Sequence, residues 1–339
     1  MEYIRSFLPR LMAVPSPTGF TRKAAELVME ELKKMGFAPQ MTRKGCVFCT
    51  LGGEGDPLVL SAHIDTLGAM VAEVKPNGRL RLSPLGGLNP NNAEAENFFI
   101  FPRFSDKVYT GVFQLNDPSV HVNGDYSAEK RTFDNMELIP DELTFSKEET
   151  EALGIAVGDV VAPDPRTVIT PSGYVKSRFL DDKLSVVILL ALAKRIADGK
   201  LTLRRKVSIF VTVYEEVGHG CSAGIPEETT DIISVDMGCV GSLCTCLETQ
   251  VSICAKDSHG PSDYDLTTEL IKAAKDNGID YAVDIYPHYG SDADAALGAG
   301  YDIRHVVVGS GVYASHGYER THMKGIEATL ELLSAYVKA

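Results

Sequence analysis

The sequence predicts an α/β protein: a mixed, largely parallel sheet flanked by helices and interrupted by an inserted β-rich domain. Short, continuously apolar runs at 58–62, 207–213, 232–235 and 305–308 read as strands buried on both faces, with helical patterns between them. From Gly68 to Thr170 the character changes, and short strand-like runs alternate with Gly, Pro, Asn and Asp clusters. Length is the third observation. The 339 residues exceed the usual size of one core, so residues 1–67 and 171–339 are expected to form one α/β domain around an insertion at 68–170.

Taken in order, Ile4, Phe7, Leu8 and Leu11 make a helical stripe that closes at the turn residues Pro15 to Gly19. Ala24, Leu27, Val28, Leu32 and Met35 make a second, with Thr21 as its expected cap and Gly36 as its stop. The run 58–62 then ends at His63-Ile64-Asp65. After the insertion, residues 184–196 are nearly all apolar, a helix buried against the sheet with Asp181 and Asp182 at its N-terminal end. Run 207–213 leads into Glu215-Glu216, run 232–235 into Asp236, and run 305–308 toward His316. Leu266, Leu270, Ile271 and Ala274 mark one further helix, and Ile326, Leu330, Leu333 and Val337 the last.

The composition is 44% hydrophobic and 23% charged, as in ordinary globular proteins. A net charge of -13 argues against a nucleic-acid partner, which needs clustered Lys and Arg. No run reaches membrane-spanning length. Seven cysteines and an N-terminus without a signal-peptide core point to a reducing compartment, the cytoplasm.

His63, Asp65, Glu215, Glu216, Asp236 and His316 all follow the ends of expected strands, and a parallel sheet gathers such residues in one cleft beyond its carboxyl edge. Asp65, on the same face of an extended segment as His63, would take the proton of the far ring nitrogen and orient the imidazole toward a metal. Adjacent carboxylates such as Glu215-Glu216 repel unless a cation or proton intervenes. With Glu216 on a metal, Glu215 is free to act as general base, and one carboxylate of Asp181-Asp182 is free to bridge two metals roughly 3.5 to 4 Å apart. Nitrogen and oxygen donors suit zinc, cobalt or manganese.

These segments resemble the tetrahedral (TET) aminopeptidases, which include glutamyl and deblocking enzymes. The matching residues are Ser61 to Gly68, Leu180-Asp181-Asp182-Lys183, Tyr214 to Gly218, Ser234-Val235-Asp236, Gly290-Ser291-Asp292-Ala293 and Ser315-His316. The resemblance implies a zinc-peptidase-like fold interrupted by a small β-barrel-like domain that mediates dimer and dodecamer assembly. It implies two divalent metal ions per subunit, one held by Asp181, Glu216 and His316 and the other by His63, Asp181 and Asp236. Asp181 bridges, Glu215 is the base, and the Gly290 to Ala293 turn lines the substrate cleft. In the family a Glu usually stands four residues after the last His. Here Glu319 stands three after His316 and Arg320 occupies the fourth position, which makes His322 the rival ligand. The segment around His121 lacks the family's Pro-Pro-His pattern, and His121 receives no role.

Cys46 and Cys49 have knuckle spacing, but a strand points them to opposite faces. Cys244 and Cys246 are expected in a sheet core near Cys239. Gly52 to Gly55 and Gly86-Gly87 lack the endings of phosphate-binding loops, and Arg204-Arg205-Lys206 is too short for a nucleic-acid patch. The sequence thus predicts a metal-dependent aminopeptidase acting on peptide N-termini, with Arg320 and His288 as candidates for substrate selection. The rivals are an endoglucanase-like glycosidase using Glu215 and a partner carboxylate, and a metal-free assembly protein of the same fold.

Overall fold

The structure, a computed structural model, describes residues 1–339. The chain forms two compact units, one of Met1–Asp65 with Arg166–Ala339 and one of Thr66–Pro165. The divisions fall at 65/66 and 165/166 rather than 67/68 and 170/171. At the second, the short strand Val168–Ile169 already pairs with Tyr174–Ser177 in the sheet of the first unit.

That sheet has 12 strands. Its centre is parallel, in the order Val207–Thr212, Leu58–His63, Asp231–Val235 and Arg304–Tyr313. Every residue of the first three is buried, as strands covered by helices on both faces require. Antiparallel strands extend both sides: Val47–Gly52 pairs with Val207–Thr212, and Val251–Lys256 with Arg304–Tyr313. The sheet is therefore mixed with a parallel core. The helix Leu180–Ala197 packs on the Leu58–His63 strand and on the helices Glu2–Met12 and Met323–Val337. It is buried continuously from Leu180 to Ala193, which explains why its sequence carries almost no polar face.

Three local expectations change. The strand expected at 305–308 runs on to Tyr313, because Gly309 continues it where the apolar run stops. A Cβ on Gly309 would lie 1.4 Å from the main-chain oxygen of Asp236, so only glycine lets the two strands approach. Thr21 makes no side-chain cap bond to its helix. Asp181 and Asp182 have non-helical dihedrals, so the regular helix starts after them, and they are joined by a cis peptide bond.

The second unit is a closed barrel in the order Gly68–Val74, Leu80–Leu85, Met136–Pro140, Tyr109–Leu115, Asn97–Phe101 and Val160–Pro163. Phe98, Phe113 and Leu138 fill it, and closure leaves no unpaired edge. His121 lies exposed in this unit. No helix of the protein is long and apolar enough to cross a membrane.

Candidate active site

The parallel centre of the sheet delivers its strand ends to one place. His63 is the last residue of its strand, Asp236 follows its strand directly, and Glu215 opens the short 3-10 turn Glu215–Val217 that follows Val207–Thr212. Of the six non-glycine residues with positive φ, four adjoin these groups: Phe179, Tyr214, Ala314 and His316 itself. Each costs about 1 kcal/mol or more, and such residues collect at functional sites.

Asp181 is the hub. Its Oδ1 lies 3.1 Å from Nε2 of His63, and its Oδ2 lies 3.7 Å from Nε2 of His316. His316 Nε2 is also 3.7 Å from Oε2 of Glu216, and His63 Nε2 is 3.6 Å from Oε2 of Glu215. Ligand atoms of His63, Asp181 and Asp236 lie within 4.8 Å of one another. All five expected ligands and Glu215 thus converge on one cleft of about 840 Å³, a size suited to small ligands.

These donors fit divalent cations on the protein's own chemistry. Glu216 Oε1 is buried with no hydrogen-bond partner, an acceptor aimed where no donor is available. Burial and then Asp181 push the Glu216 pKa well above the usual carboxylate range. Burial, helped by Asp236, does the same to Glu215, and burial followed by Asp181 lifts Asp236 to about 7. Burial disfavours a charged His63, but Glu215 and Asp181 outweigh it and hold its pKa well above the ordinary value. So many acids pressed toward their neutral form in one place are what a bound cation resolves.

Behind the cleft, buried carboxylates hold the main chain. Asp182 Oδ2 accepts the His63 N–H at 3.1 Å, and Glu319 accepts those of Asp181 at 3.1 Å and His316 at 3.2 Å. Asp65 departs from its expected role. His63 Nδ1 meets the main-chain oxygen of Asp65 at 2.9 Å while the Asp65 carboxylate stands 3.7 Å away, because the strand ends at His63 and the chain turns. The carboxylate instead accepts from the Thr18 hydroxyl at 2.7 Å and the Glu215 N–H at 3.2 Å.

His322 is not at the cleft: it caps the helix Met323–Val337, accepting the Lys324 N–H at 3.0 Å, and its ring packs edge-on against Tyr174. Gly290 and Ser291 line the cleft, whereas Asp292 is turned inward and accepts from Thr212 at 2.7 Å. Arg320 is paired with Glu248 and lies over Tyr174, away from the cleft, while His288 lines it. Cys244 and Cys246 sit in the loop after Gly238–Val240 rather than in a strand, and all seven cysteines are free. Sequence reasoning missed the anchoring by Thr18, Asp65 and Glu319. The one available signal was an acid displaced by a single position from its family place.

A family model of the M42 glutamyl aminopeptidases matches residues 45–332. The chain belongs to that family, and its activity class is accordingly that of an aminopeptidase. "Putative aminopeptidase YhfE" of Bacillus subtilis (strain 168) is 41% identical over 341 residues, covering 100% of this chain and 97% of that protein. The glutamyl aminopeptidase of Lactococcus lactis subsp. cremoris (strain MG1363) is 26% identical over 212 residues, 61% of this chain and 58% of that protein. Among solved structures, a Pyrococcus horikoshii TET1 peptidase, described as assembling into a tetrahedron or a large octahedral shell, matches with a TM-score of 0.87 at 22% identity, covering 99% of each chain. That likeness establishes the zinc-peptidase-like fold expected from the sequence.

Proposed function

We propose that this aminopeptidase is dinuclear and removes the N-terminal residue of peptides with Glu215 as its general base. The single observation that carries the reading is Asp181, one oxygen facing His63 and the other facing His316. His63, Asp181 and Asp236 would hold one divalent cation, and Asp181, Glu216 and His316 the second. Zinc or cobalt suits these donors, with manganese next. When bound, the cations supply Lewis acidity that polarises the scissile carbonyl and acidifies water.

The remaining work falls to the chain. Glu215 takes a proton from the attacking water and returns it to the leaving amine. Asp65 fixes the main chain of Glu215, so the base meets its proton without a search of conformations. Asp182 and Glu319 do the same for His63, Asp181 and His316.

Assembly and location extend the same reading. The unit Thr66–Pro165 exposes Phe104 (97%), Leu143 (89%) and Phe145 (77%), apolar surface of the kind that subunits cover. We infer that this unit is the dimerisation domain, with the dodecamer built from dimers. Seven unpaired thiols support residence in the reducing cytoplasm.

The test is metal content by elemental analysis together with hydrolysis of aminoacyl-p-nitroanilides. Activity should vanish with EDTA and return with zinc, cobalt or manganese. Activity indifferent to EDTA, or a protein that binds no divalent ion, would overturn the reading; the first result with cleavage of a β-glucan would favour the glycosidase.

A further inference from the structure

The cleft wall beyond the metal-binding groups has a sign. No lysine or arginine lines it. The ammonium groups nearby are committed elsewhere, Lys44 to the main-chain oxygens of His219 and Gly220 and Lys256 to that of Asp257 at 2.7 Å, and Arg320, away from the cleft, is held by both oxygens of Glu248. An acidic substrate side chain entering here would meet the imidazoles of His219, His259, His288 and His316 but no ammonium or guanidinium group.

Asp294 is the fixed charge of this wall. It is the third residue of the helix Asp292–Gly298, and its Oδ2 accepts the Ser291 N–H at 2.8 Å, a capping box that locks its rotamer. Behind it the buried Asp257 is fixed in turn, its Oδ1 accepting the N–H groups of His259 at 2.8 Å and Gly260 at 3.1 Å. Oxygens of the two carboxylates and a ring nitrogen of His259 lie within 4.8 Å of one another. Burial and the neighbouring Asp257 push Asp294 up to about 6, a conflict that an incoming cation relieves. Ala295 and Ala299, small residues on the same wall, leave room for a long aliphatic stem.

Resting on the aminopeptidase reading above, we propose that Asp294, backed by Asp257, is the specificity-determining residue of the cleft and selects peptides whose N-terminal side chain is lysine or arginine. The carboxylate meets the side-chain cation, while the peptide's terminal amine and scissile bond lie toward Asp181 and Glu215.

The experiment measures kcat/KM for Lys-, Arg-, Leu- and Glu-p-nitroanilide with cation in excess, on the wild type and on Asp294→Asn and Asp294→Glu. The wild type should prefer Lys and Arg to Leu and should reject Glu. Asp294→Asn should lower the Lys-to-Leu ratio roughly tenfold, the worth of one charge-assisted hydrogen bond, and Asp294→Glu should restore part of it. Because the readout is a ratio within one preparation, partial unfolding of a variant does not imitate the effect. A wild type that prefers Glu overturns the proposal. So does an equal loss on Lys and Leu in Asp294→Asn, which would make Asp294 a holder of the terminal amine. Hydrolysis of Leu without preference for Lys sinks this inference alone, whereas hydrolysis of none of the four sinks the aminopeptidase reading with it.

Discussion

Oδ1 of Asp65 accepts the main-chain N–H of Glu215 at 3.2 Å across 150 residues of sequence. Asp182 holds His63 in the same way, and Glu319 holds both Asp181 and His316. None of these three acids lines the cleft; Asp65 and Glu319 fix the backbone of residues that do, and Asp182 that of the buried His63, which meets Asp181 at 3.1 Å. The cleft is thus a layer of reactive side chains on a layer of buried carboxylates.

Replacing Asp65 by alanine releases the Glu215 backbone but keeps the main-chain oxygen that His63 Nδ1 uses. We expect kcat to fall roughly 100-fold, since misplacement of a reacting group by about 1 Å has that effect, with metal content near the wild-type level. Steady-state kinetics with elemental analysis checks this. Loss of metal in parallel with kcat would return Asp65 to the role of orienting His63.

Glu215→Gln keeps the shape and removes the base. The rate on aminoacyl-p-nitroanilides should fall by about 10²-fold or more while metal stays bound. A near-normal rate in the metal-loaded variant would refute the assignment.

Glu319→Ala leaves two main-chain N–H groups, at Asp181 and His316, without an acceptor. Divalent-metal affinity should drop about 10- to 100-fold, as for other groups that support metal ligands from behind. Glu319→Gln keeps an acceptor for only one of the two N–H groups, which use separate oxygens, and should recover only part of it. Calorimetric titration with zinc compares the three proteins.

Asp231, buried, binds Arg304 through Nε at 2.7 Å and Arg205 at 2.5 Å. Burial raises its pKa, but the hydrogen bonds from Arg304 and Arg205 outweigh it and hold the group below the ordinary carboxylate value. The sign follows: the unfolded chain takes up the proton first, so the pair's stabilisation is complete above about pH 4 and is lost as pH falls through the lower, folded pKa. Asp231→Asn should cost about 1–2 kcal/mol at neutral pH, because Arg205 and Arg304 are only part-buried and Arg304 keeps Glu269, and should flatten the acid limb of stability. Urea unfolding at a series of pH values reads both.

The central strands were legible because burial on both faces leaves an unbroken apolar run, and the reactive residues were legible because they stand where those runs stop. The anchoring layer was not. Asp65 reaches Glu215, and Glu319 reaches Asp181, through contacts 150 and 138 residues apart that no local pattern encodes. Gly309 hid the second half of its strand, since a glycine demanded by backbone approach looks in sequence like a strand ending. His322 rivalled His316 because spacing cannot reveal that one imidazole caps a helix while the other faces Asp181.

The chain leaves its first unit at Asp65 and re-enters at Arg166. A ribosome therefore releases His63 a whole barrel earlier than Asp181, and His316 after both. No nascent fragment possesses a finished cage for an ion. In the proposed enzyme both cations can therefore be held only after residues on each side of the barrel, His316 last, have been synthesised.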